Sequence, residues 1–549
     1  MHMQDDFPLL LSTLYDHAVW IHPDQEVVSV EADRSQTRWT YGQLDGRIRR
    51  LASAFDALGI EPGEAVGTFA WNNHRHHELY WATANTGRVC HTINLRLFAD
   101  QIVYIVNHAR DKALFVDPDL VPLVAPLVDR FETVKTVVVM GESARDDIPG
   151  SVAYEDLLAD QAMHGEWPML DERSPMMFCY TSGTTGNPKG VAYTQRSTYL
   201  HTLSNLANFS IEPSDNVLPV VPMFHASAWG YPFMATAKGA KITYPGPDLT
   251  PEGLVNLFVG EKVTFSAGVP TVWLGIKAYL DAHPEVDVSS IRAFLCGGSA
   301  VPRAMIKAYW EDRGIRVVQG WGMTETNPIA SMAYLKPHME DWPIEEQLDR
   351  LETAGIPTPG LQVKIVDELG DELAQDGEAF GELLIRGPWI AAEYYKDDRT
   401  PQSFVDGWLR TGDVCKITPE GYVRITDRAK DVIKSGGEWI SSLDVENELM
   451  AHPAVAEATV VGLKHPKWQE RPAAFVVLAP DVEATSDELI EHLTQRVAKW
   501  WLPDEIVFID EIPKTGTGKF DKKVVRDRYA DLLMGSGSAE SGPDLDQLT

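Results

Sequence analysis

Cysteine is scarce in this chain, and the few that occur are isolated. The four cysteines, Cys90, Cys179, Cys296 and Cys415, lie far apart and form no CxxC pair. This spacing argues against a structural zinc site or a disulfide framework and fits a reducing cytoplasm. The first ten residues, MHMQDDFPLL, contain no basic segment followed by an apolar run, so no signal peptide is predicted. Because no uninterrupted apolar stretch is long enough to span a bilayer, we expect no integral membrane segment and a cytoplasmic protein.

Positive charge is also under-represented. Lysine and arginine total 48 against 80 aspartates and glutamates, which gives a formal net charge of −32. Such a surface repels nucleic acid and anionic membranes, so neither is expected as a partner. It also repels phosphate-bearing ligands, which would need locally concentrated cations and amide donors. We attribute the acidity itself to solubility or adaptation to salt.

Short apolar runs alternate with helix-like segments through most of the 549 residues. A chain of this length is expected to form at least two domains. Strand–helix alternation predicts an α/β fold with largely parallel sheets. Helical spacing occurs at 43–58 and 301–313. The predicted buried strands are 65–70, 113–117, 136–140 and 216–222.

The pattern changes near residue 427. A strand-like GYVRIT (421–426) gives way to DRAKD, then to a predicted helix at 444–453 and strands at 456–463 and 473–479. We therefore predict a large N-terminal α/β domain of several subdomains (1–427) and a small, mobile C-terminal α+β domain (428–535). The small, polar and acidic residues of 536–549 predict a disordered tail.

The most informative segment is YTSGTTGNPKGV (180–191). Its glycines allow backbone amides to approach phosphate oxygens, its hydroxyls add donors, and Lys189 supplies a point charge. The spacing does not fit the GxxxxGK[ST] phosphate loop. Taken alone, a Gly/Ser/Thr-rich turn would be interpreted as a plain surface loop, but the full string is too particular for that.

This string resembles the superfamily of adenylate-forming enzymes, which includes acyl-CoA synthetases, peptide-synthetase adenylation domains and beetle luciferases. The resemblance covers about residues 10–530, and its motifs follow in the family's order. It implies that ATP and Mg²⁺ bind here, with the hydroxyl of Thr184 among the metal ligands. The residues assigned to the phosphates are Thr181, Ser182, Gly183, Thr184, Thr185, Gly186 and Lys189.

Two further motifs resemble the family's nucleotide site. In QGWGMTET (319–326), Trp321 would lie against adenine, Thr324 would contact the α-phosphate and Glu325 would bind Mg²⁺. CGGSAVP (296–302) resembles the adenine-side glycine turn. Its GGS string could instead be a phosphopantetheine attachment site, but that requires a surrounding carrier domain, so we reject it. The full set assigned from these motifs is Gly297, Gly298, Ser299, Gly320, Trp321, Gly322, Met323, Thr324 and Glu325.

The C-terminal part of the resemblance supplies groups for two half-reactions. Asp413 and Arg428 are expected at the ribose, and Lys519 in PKTGTGKFDKK (513–523) matches the catalytic lysine that contacts the acyl carboxylate and α-phosphate. A lysine-rich segment is usually solvated, so only the motif selects Lys519. Lys430 matches the hinge around which the small domain rotates before CoA transfer. The residues expected to guide CoA are Ser435, Gly436, Gly437 and Glu438.

Residues on the acid-binding side come from VPMFHASAW (221–229). His225 resembles a catalytic or substrate-contacting position, and Trp229 aligns with the gate residue of fatty acyl-CoA synthetases; Gly297 and Gly322 complete the substrate set. A lone histidine in an apolar run is more often a core residue, and only the motif favours function. The histidines of NNHRHHE (72–78) are not expected to bind a metal.

The segments 433–447 and 465–472 resemble the fatty acyl-CoA synthetase branch. Within this branch, the chain resembles bacterial medium-chain ligases and 3-methylmercaptopropionyl-CoA ligases. The predicted function is an AMP-forming acid–CoA ligase for a short or medium-chain carboxylic acid, with 3-methylmercaptopropionate as a candidate. It would use ATP, Mg²⁺ and CoA, and form homodimers as relatives do. Alternatives are an acyl-AMP ligase that loads a carrier protein and a longer-chain fatty acyl-CoA synthetase. Nothing indicates a luciferase-like oxidation. A nonenzymatic nucleotide sensor would have lost catalytic groups that are present here.

Overall fold

The computed structural model describes residues 3–181, 187–429, 431–436, 438–480, 482–514 and 520–534, with the backbone alone at 438 and 439. They fall into two compact units. The first comprises Met1–Val363 and Ile385–Leu409, and the second comprises Lys364–Leu384 and Arg410–Thr549. The second unit thus takes in residues 364–384 and 410–427 besides the predicted 428–535. None of the described helices is both long and apolar enough to cross a membrane.

The first unit contains two largely parallel sheets and their flanking helices. Its strands are β1 (Glu26–Val30), β2 (Gln36–Thr40), β3 (Ala65–Phe69), β4 (Val89–Thr92), β5 (Ala113–Val116), β6 (Thr136–Val139), β7 (Val152–Ala153), β8 (Pro175–Tyr180), β9 (Gly190–Thr194), β10 (Asn216–Pro219), β11 (Lys241–Tyr244), β12 (Phe265–Gly268), β13 (Ala293–Gly297), β14 (Arg316–Gly322), β15 (Ile329–Met332) and β16 (Ile356–Pro357). Its helices are α1 (Leu11–Ile21), α2 (Tyr41–Ala57), α3 (His74–Thr86), α4 (Ala99–Ala109), α5 (Val121–Val124), α6 (Tyr154–Ala159), α7 (Gln195–Phe209), α8 (Tyr231–Lys238), α9 (Pro251–Gly260), α10 (Pro270–Ala282), α11 (Arg303–Arg313) and α12 (Ile344–Leu351).

A seven-stranded sheet carries the predicted phosphate loop. Its order is β7-β6-β5-β3-β4-β8-β9, and all its pairs are parallel except β8 with β9. The four strands predicted from apolar runs in the first domain all form, three of them here and the fourth as β10. They are buried on both faces, as is usual for strands of parallel sheets covered by helices.

A nine-stranded sheet carries the predicted adenine-side and acid-side motifs. Its order is β16-β15-β14-β13-β12-β10-β11-β1-β2. The pairs from β1 through β11, β10, β12 and β13 to β14 are parallel, whereas β2, β15 and β16 pair antiparallel at the two ends. The carboxyl ends of β13 and β14 coincide with the two glycine-rich motifs, and in parallel sheets ligands bind at this edge.

The remaining elements include the predicted α+β region. They are β17 (Gln362–Val366), β18 (Phe380–Arg386), α13 (Thr400–Ser403), β19 (Phe404–Val405), β20 (Trp408–Ile417), β21 (Val423–Arg428), β22 (Ile433–Ser435), β23 (Glu438–Ile440), α14 (Ser442–Met450), β24 (Val455–His465), β25 (Gln469–Leu478), α15 (Ser486–Thr494), β26 (Glu505–Phe508) and α16 (Lys522–Arg528). In the second unit one sheet has the order β17-β18-β20 with β21 on β20, and another has the order β23-β22-β25-β24 with β26 on β25. The predicted helix at 444–453 and strands at 456–463 and 473–479 correspond to α14, β24 and β25.

Candidate active site

The predicted phosphate loop joins two antiparallel strands, and its described ends lie side by side. Tyr180 at the end of β8 pairs with Gly190 at the start of β9. The amide of Thr181 donates to the carbonyl oxygen of Lys189 at 2.9 Å, and the amide of Lys189 donates to Thr181 Oγ1 at 3.3 Å. Ser182, Gly183, Thr184, Thr185 and Gly186 lie outside the described residues, so their assignment to phosphate binding stays a prediction.

Lys189 and Glu325 are brought together through one tyrosine. The Lys189 Nζ lies 4.3 Å from the ring centroid of Tyr394, and the Tyr394 hydroxyl donates to Glu325 Oε1 at 2.7 Å. Glu325 is only 5% exposed. Burial lowers the pKa of Lys189 and the Glu325 carboxylate opposes that shift. Burial and the same carboxylate raise the pKa of Tyr394, which keeps its hydroxyl protonated and able to donate.

The turn containing Glu325 is held from both sides. Residues Thr324–Thr326 form one turn of 3₁₀ helix after β14. The hydroxyl of Tyr193 on β9 donates to the carbonyl oxygen of Thr324 at 2.7 Å, and the amide of Ala391 donates to that of Glu325 at 2.8 Å. Tyr193 therefore ties the strand after the phosphate loop to the predicted α-phosphate contact. Trp321 and Met323 are partly buried and Gly322 is exposed.

Glycine is required where β13 and β14 end. Gly297 pairs with Gly320, and a Cβ on Gly297 would lie 2.5 Å from the carbonyl oxygen of Gly320 and 3.3 Å from Cη2 of Trp229. Gly298 has a φ of 83°, which a residue with a side chain rarely adopts. The structure therefore brings the indole of Trp229 next to the predicted adenine-side glycines. Gly298 and Ser299 are exposed at the end of β13.

The acid-side segment adopts a left-handed turn that the sequence did not predict. From Ala226 to Trp229 the φ angles are 43°, 52°, 48° and 55°, and Gly230 continues at 83°. Each left-handed residue with a side chain costs about 1–2 kcal/mol, so the surroundings must hold this turn. Contacts with β8 help to stabilise the turn: Ser227 Oγ lies 2.5 Å from Met177 Sδ and 3.5 Å from Cys179 Sγ. His225 lies directly before the turn, half-buried.

In the second unit, the two predicted ribose groups form an ion pair. Asp413 on β20 pairs across the sheet with Arg428 on β21, with Nε to Oδ1 at 2.9 Å. The Asp413 side chain is 3% exposed and that of Arg428 is 47% exposed. A buried carboxylate beside a half-exposed guanidinium suits hydroxyl and phosphate groups of a nucleotide.

The predicted CoA turn is tightly packed. Gly436 has a φ of 61°, its amide donates to the carbonyl oxygen of Trp468 at 2.9 Å, and a Cβ there would lie 2.9 Å from Cε3 of the same indole. Arg471 donates to Ser435 Oγ at 3.3 Å. Gly437 and the side chain of Glu438 lie outside the described residues, as does the predicted hinge Lys430.

The predicted catalytic lysine, Lys519, also lies outside the described residues. Its flanks are described: Lys514 and Phe520 form an antiparallel bridge, and the amide of Asp521 donates to the carbonyl oxygen of Pro513 at 2.7 Å. Lys514 and Phe520, the described residues on either side of 515–519, are thus adjacent. The catalytic role of Lys519 stays a prediction.

Comparison with known proteins identifies the family. Residues 16–395 match the AMP-binding enzyme family, and residues 444–519 match the AMP-binding enzyme C-terminal domain. The chain belongs to the AMP-binding enzyme family. The family resemblance inferred from the motifs is therefore confirmed.

Relatives of this AMP-binding enzyme align along its whole length. The 3-methylmercaptopropionyl-CoA ligase of Ruegeria lacuscaerulensis is 45% identical and covers 96% of this chain and 98% of its own. The long-chain-fatty-acid–CoA ligase of Thermus thermophilus is also 45% identical, with 97% of each chain covered. The crystal structure of the anthranilate CoA ligase AuaEII with anthranoyl-AMP superposes with a TM-score of 0.84 over 97% of this chain and 100% of its own at 24% identity. This likeness confirms the predicted α/β fold.

The described residues of this AMP-binding enzyme fit Mg²⁺ bound largely through substrate phosphates. They contain no cluster of three or more histidine, cysteine, aspartate or glutamate side chains that could hold a metal alone. Mg²⁺ commonly takes one or two protein carboxylates plus phosphate oxygens. Glu325 supplies a buried carboxylate oxygen donor at the predicted position.

The histidines at 72–78 have protein partners. In α3, His76 Nε2 lies 2.9 Å from Thr68 Oγ1 and its Nδ1 lies 3.0 Å from the carbonyl oxygen of Trp71. His77 Nδ1 lies 2.8 Å from the Tyr244 hydroxyl. Burial lowers the pKa of His76 to about 4 and that of His77 to about 3, so both are neutral core groups at neutral pH.

Sequence reasoning missed three residues of this AMP-binding enzyme site. Tyr394 and Tyr193 bind the Thr324–Thr326 turn, and His201 on α7 lies beside the left-handed turn. Tyr193 follows the phosphate-loop string by two residues and His201 by ten, and no pattern in the sequence singles out either side chain. Tyr394 lies in a segment that belongs to none of the motifs considered.

Proposed function

We propose that the protein is an acid–CoA ligase that activates a short or medium-chain aliphatic acid as acyl-AMP and transfers the acyl group to CoA. The observation that carries this is the buried Glu325 carboxylate, held by Tyr394 with the Lys189 amino group beside the same ring. The two charged groups come from the two predicted nucleotide segments, Lys189 from 180–191 and Glu325 from 319–326. They are suited to a metal-bound triphosphate, and family membership supports the same assignment.

In the first half-reaction a carboxylate oxygen bonds to the α-phosphorus, the bond from that phosphorus to the bridging oxygen breaks, and pyrophosphate leaves. The barrier is largely electrostatic, because two anions must meet and charge builds on the leaving group. When bound, Mg²⁺ supplies charge neutralisation at the phosphate oxygens. Lys189 adds a fixed cation, and Glu325 and Thr184 are the proposed metal ligands. We assign Lys519 to the acyl carboxylate and α-phosphate.

In the second half-reaction the CoA thiolate attacks the acyl carbonyl carbon, the acyl–oxygen bond breaks and AMP leaves. We assign Asp413 and Arg428 to the nucleotide, Ser435 to Glu438 to CoA, and Lys430 to the hinge of the 428–535 domain. The described Asp413–Arg428 pair supports the first assignment. The second assignment rests on the family resemblance; at Gly436 the φ of 61° and the adjacent indole of Trp468 leave no room for a side chain.

The acid is proposed from the resemblance of the chain to medium-chain and 3-methylmercaptopropionyl-CoA ligases, because overall identity to relatives does not decide it. Two relatives named for very different acids, 3-methylmercaptopropionate and long-chain fatty acids, are equally identical to this chain. We propose 3-methylmercaptopropionate or an aliphatic acid of similar length, with His225, Trp229, Gly297 and Gly322 on its side of the site. A longer-chain fatty acid is the second candidate, because the long-chain ligase of Thermus thermophilus is 45% identical to this chain. A cytoplasmic homodimer is proposed from the resemblance alone.

Pyrophosphate release from ATP across short, medium, long and sulfur-containing acids tests the proposal, with CoA present or omitted. We expect release with at least one short or medium acid, and acyl-AMP that accumulates without CoA and disappears on its addition. A carrier-loading enzyme would keep acyl-AMP when CoA is added. Release of no pyrophosphate with any of the acids would overturn the proposal.

The metal assignment is tested by Glu325→Gln, which keeps the shape of the side chain and removes its charge. We expect the Mg²⁺ concentration for half-maximal pyrophosphate release to rise about tenfold or more, because a charged ligand is lost. Glu346→Gln, at an exposed position of α12, is the control. An unchanged Mg²⁺ dependence in Glu325→Gln would remove this residue from the metal site.

A further inference from the structure

His201 is a buried histidine whose protonation pattern is set by its backbone partner. It lies on α7, which begins with a capping box formed by Thr194 and Ser197 directly after β9. The side chain is inaccessible to solvent, and the amide of Ile329 donates to its Nε2 at 3.3 Å. A ring nitrogen that accepts a hydrogen bond carries no proton, so the proton of the neutral imidazole is on Nδ1. Burial lowers the pKa of His201 to about 3, which keeps the ring neutral at physiological pH.

The Nδ1–H of His201 has no hydrogen-bond acceptor among the residues that the structure describes. A buried donor without a partner costs about 1–3 kcal/mol and calls for an explanation. The unpartnered atom lies 3.1 Å from the position that a Cβ on Gly230 would occupy, and Cε1 lies 2.9 Å from it. The edge of the imidazole that carries the donor therefore borders the backbone of the left-handed turn.

That turn belongs to the acid side of the proposed site. Gly230 follows Trp229, whose indole lies 3.3 Å from the Cβ position of Gly297. On the other side of the ring, Ile329 pairs with Gly322 between β15 and β14. His201 thus lies between two segments, the turn that carries Trp229 and the strand β15, whose Ile329 pairs with Gly322. Its unused donor lies next to the first of these segments.

We propose that His201 Nδ1–H donates a hydrogen bond to an acceptor atom within the acyl chain, so that the site selects acids with a thioether, ether or carbonyl over their all-carbon isosteres. This rests on the proposed function and narrows its substrate class. A site that buries a donor rejects a ligand that leaves the donor unpaired, whereas apolar walls discriminate poorly. The competing explanation is a core histidine whose Nδ1–H binds one buried water.

The test compares pairs of acids that differ by one atom in the chain. 3-Methylmercaptopropionate and 3-methoxypropionate are compared with pentanoate, and 4-methoxybutanoate is compared with hexanoate, through the ratio of kcat/KM within each pair. His201→Gln can still accept from the Ile329 amide but lacks a donor at the Nδ1 position. His201→Asn retains an amide N–H near that position. His283→Gln, on a histidine outside every motif, is the matched control.

We expect the preference for the acceptor-bearing acid to fall about tenfold in His201→Gln in at least one pair, to recover partly in His201→Asn, and to be unchanged in His283→Gln. A ratio that is the same in wild type and His201→Gln for every pair would overturn the proposal and leave the water-bound core histidine. If no acid releases pyrophosphate, the proposed function itself has failed.

A second measurement does not depend on the variants folding. In wild-type protein with ¹⁵N-labelled histidine, saturating 3-methoxypropionate should shift the Nδ1–H resonance of His201, whereas pentanoate should shift it less. Equal shifts with both acids would contradict a hydrogen bond to the chain.

Discussion

Tyr394 shows how a single neutral side chain can organise two charged ones. Its hydroxyl donates to Glu325 and its ring face lies under the Lys189 amino group. Because the hydroxyl donates a hydrogen bond to a carboxylate, electron density in the ring increases. The face of the ring then attracts a nearby cation more strongly. The residue therefore positions both groups without adding charge of its own.

Replacing Tyr394 with Phe removes the hydroxyl and keeps the ring. A hydrogen bond to a charged group is worth about 1.5–3 kcal/mol, so we expect the affinity for Mg²⁺ and ATP to fall by about tenfold. Isothermal titration or the Mg²⁺ dependence of pyrophosphate release measures it. Tyr395→Phe is the control, because its neighbouring ring packs on Phe178 at 4.4 Å and survives the change. Equal losses in the two variants would show that Tyr394 acts only through general packing.

Lys189 and Glu325 could be predicted from the sequence, but Tyr394, which contacts both, could not. Both lie in strings whose residue order is distinctive, and the structure brings them to one ring. Tyr394 depends on a contact between segments far apart in the chain, which local patterns do not encode. The unpaired Nδ1–H of His201 was equally hidden, because it follows from a backbone partner at Ile329 that only tertiary structure reveals.

Helix α16 is fastened to the second unit by a buried amino group. Lys522 Nζ lies 2.8 Å from Glu446 Oε1 and 2.6 Å from Ser442 Oγ, both on α14. Asp427, which accepts from the Ser442 amide at 2.7 Å, adds a second carboxylate nearby. These carboxylates raise the pKa of Lys522 against the opposing effect of burial. Lys522, three residues after Lys519, therefore ties the start of α16 to α14.

Lys522→Met should destabilise the second unit strongly, because it leaves Glu446 and Asp427 buried without their cation. Breaking a buried ion pair costs about 3–5 kcal/mol. Lys523→Met is the matched control, since the next lysine is exposed and pairs with Asp527 at 2.8 Å on the same helix. Urea unfolding of both variants measures the difference. Equal midpoints would mean that the buried pair contributes nothing net to the fold.

At the level of elements, prediction succeeded where periodicity is strong and failed where the backbone is unusual. The apolar runs at 65–70 and 113–117 form β3 and β5 because such runs suit strands buried on both faces. The turn at 226–230 had no signal, since Ala, Ser and Trp ordinarily avoid positive φ. Sheet order was also beyond reach: β11 pairs with β1 as well as with β10, a long-range pairing that residue patterns do not specify.

At the scale of the whole molecule, the two compact units divide the chain at positions other than the predicted boundary at residue 427. The predicted boundary followed a change of composition at 427, one residue before the end of β21. The second unit includes β21 and β20 from Arg410 onward, and these strands pair with each other, Asp413 opposite Arg428 among the pairs. Composition records where a pattern changes along the chain, whereas a compact unit is defined by which strands pair. The proposed hinge at Lys430 concerns motion and remains a prediction.

The final prediction separates the two half-reactions within the second unit. Lys519→Ala should abolish pyrophosphate release, because it removes the proposed cation at the reacting carboxylate, yet leave acyl transfer from supplied acyl-AMP to CoA largely intact. Gly436→Ala should do the reverse, because its φ of 61° disfavours a side chain and a Cβ would lie 2.9 Å from the indole of Trp468. Separate assays of pyrophosphate release and of acyl transfer from supplied acyl-AMP to CoA measure the effect of each variant.

Gly421→Ala is the control for backbone strain in this experiment. Gly421 also has a positive φ, 91°, but nothing lies within 4 Å of its Cβ position. Alanine at either glycine carries the cost of a positive φ, about 1–2 kcal/mol, so a difference in CoA transfer between the two variants does not come from that backbone strain. If Gly436→Ala and Lys519→Ala impair the same half-reaction, the assignment of 435–438 to CoA is wrong. If Gly436→Ala and Gly421→Ala lower the rate of CoA transfer equally, the glycine turn has only a structural role.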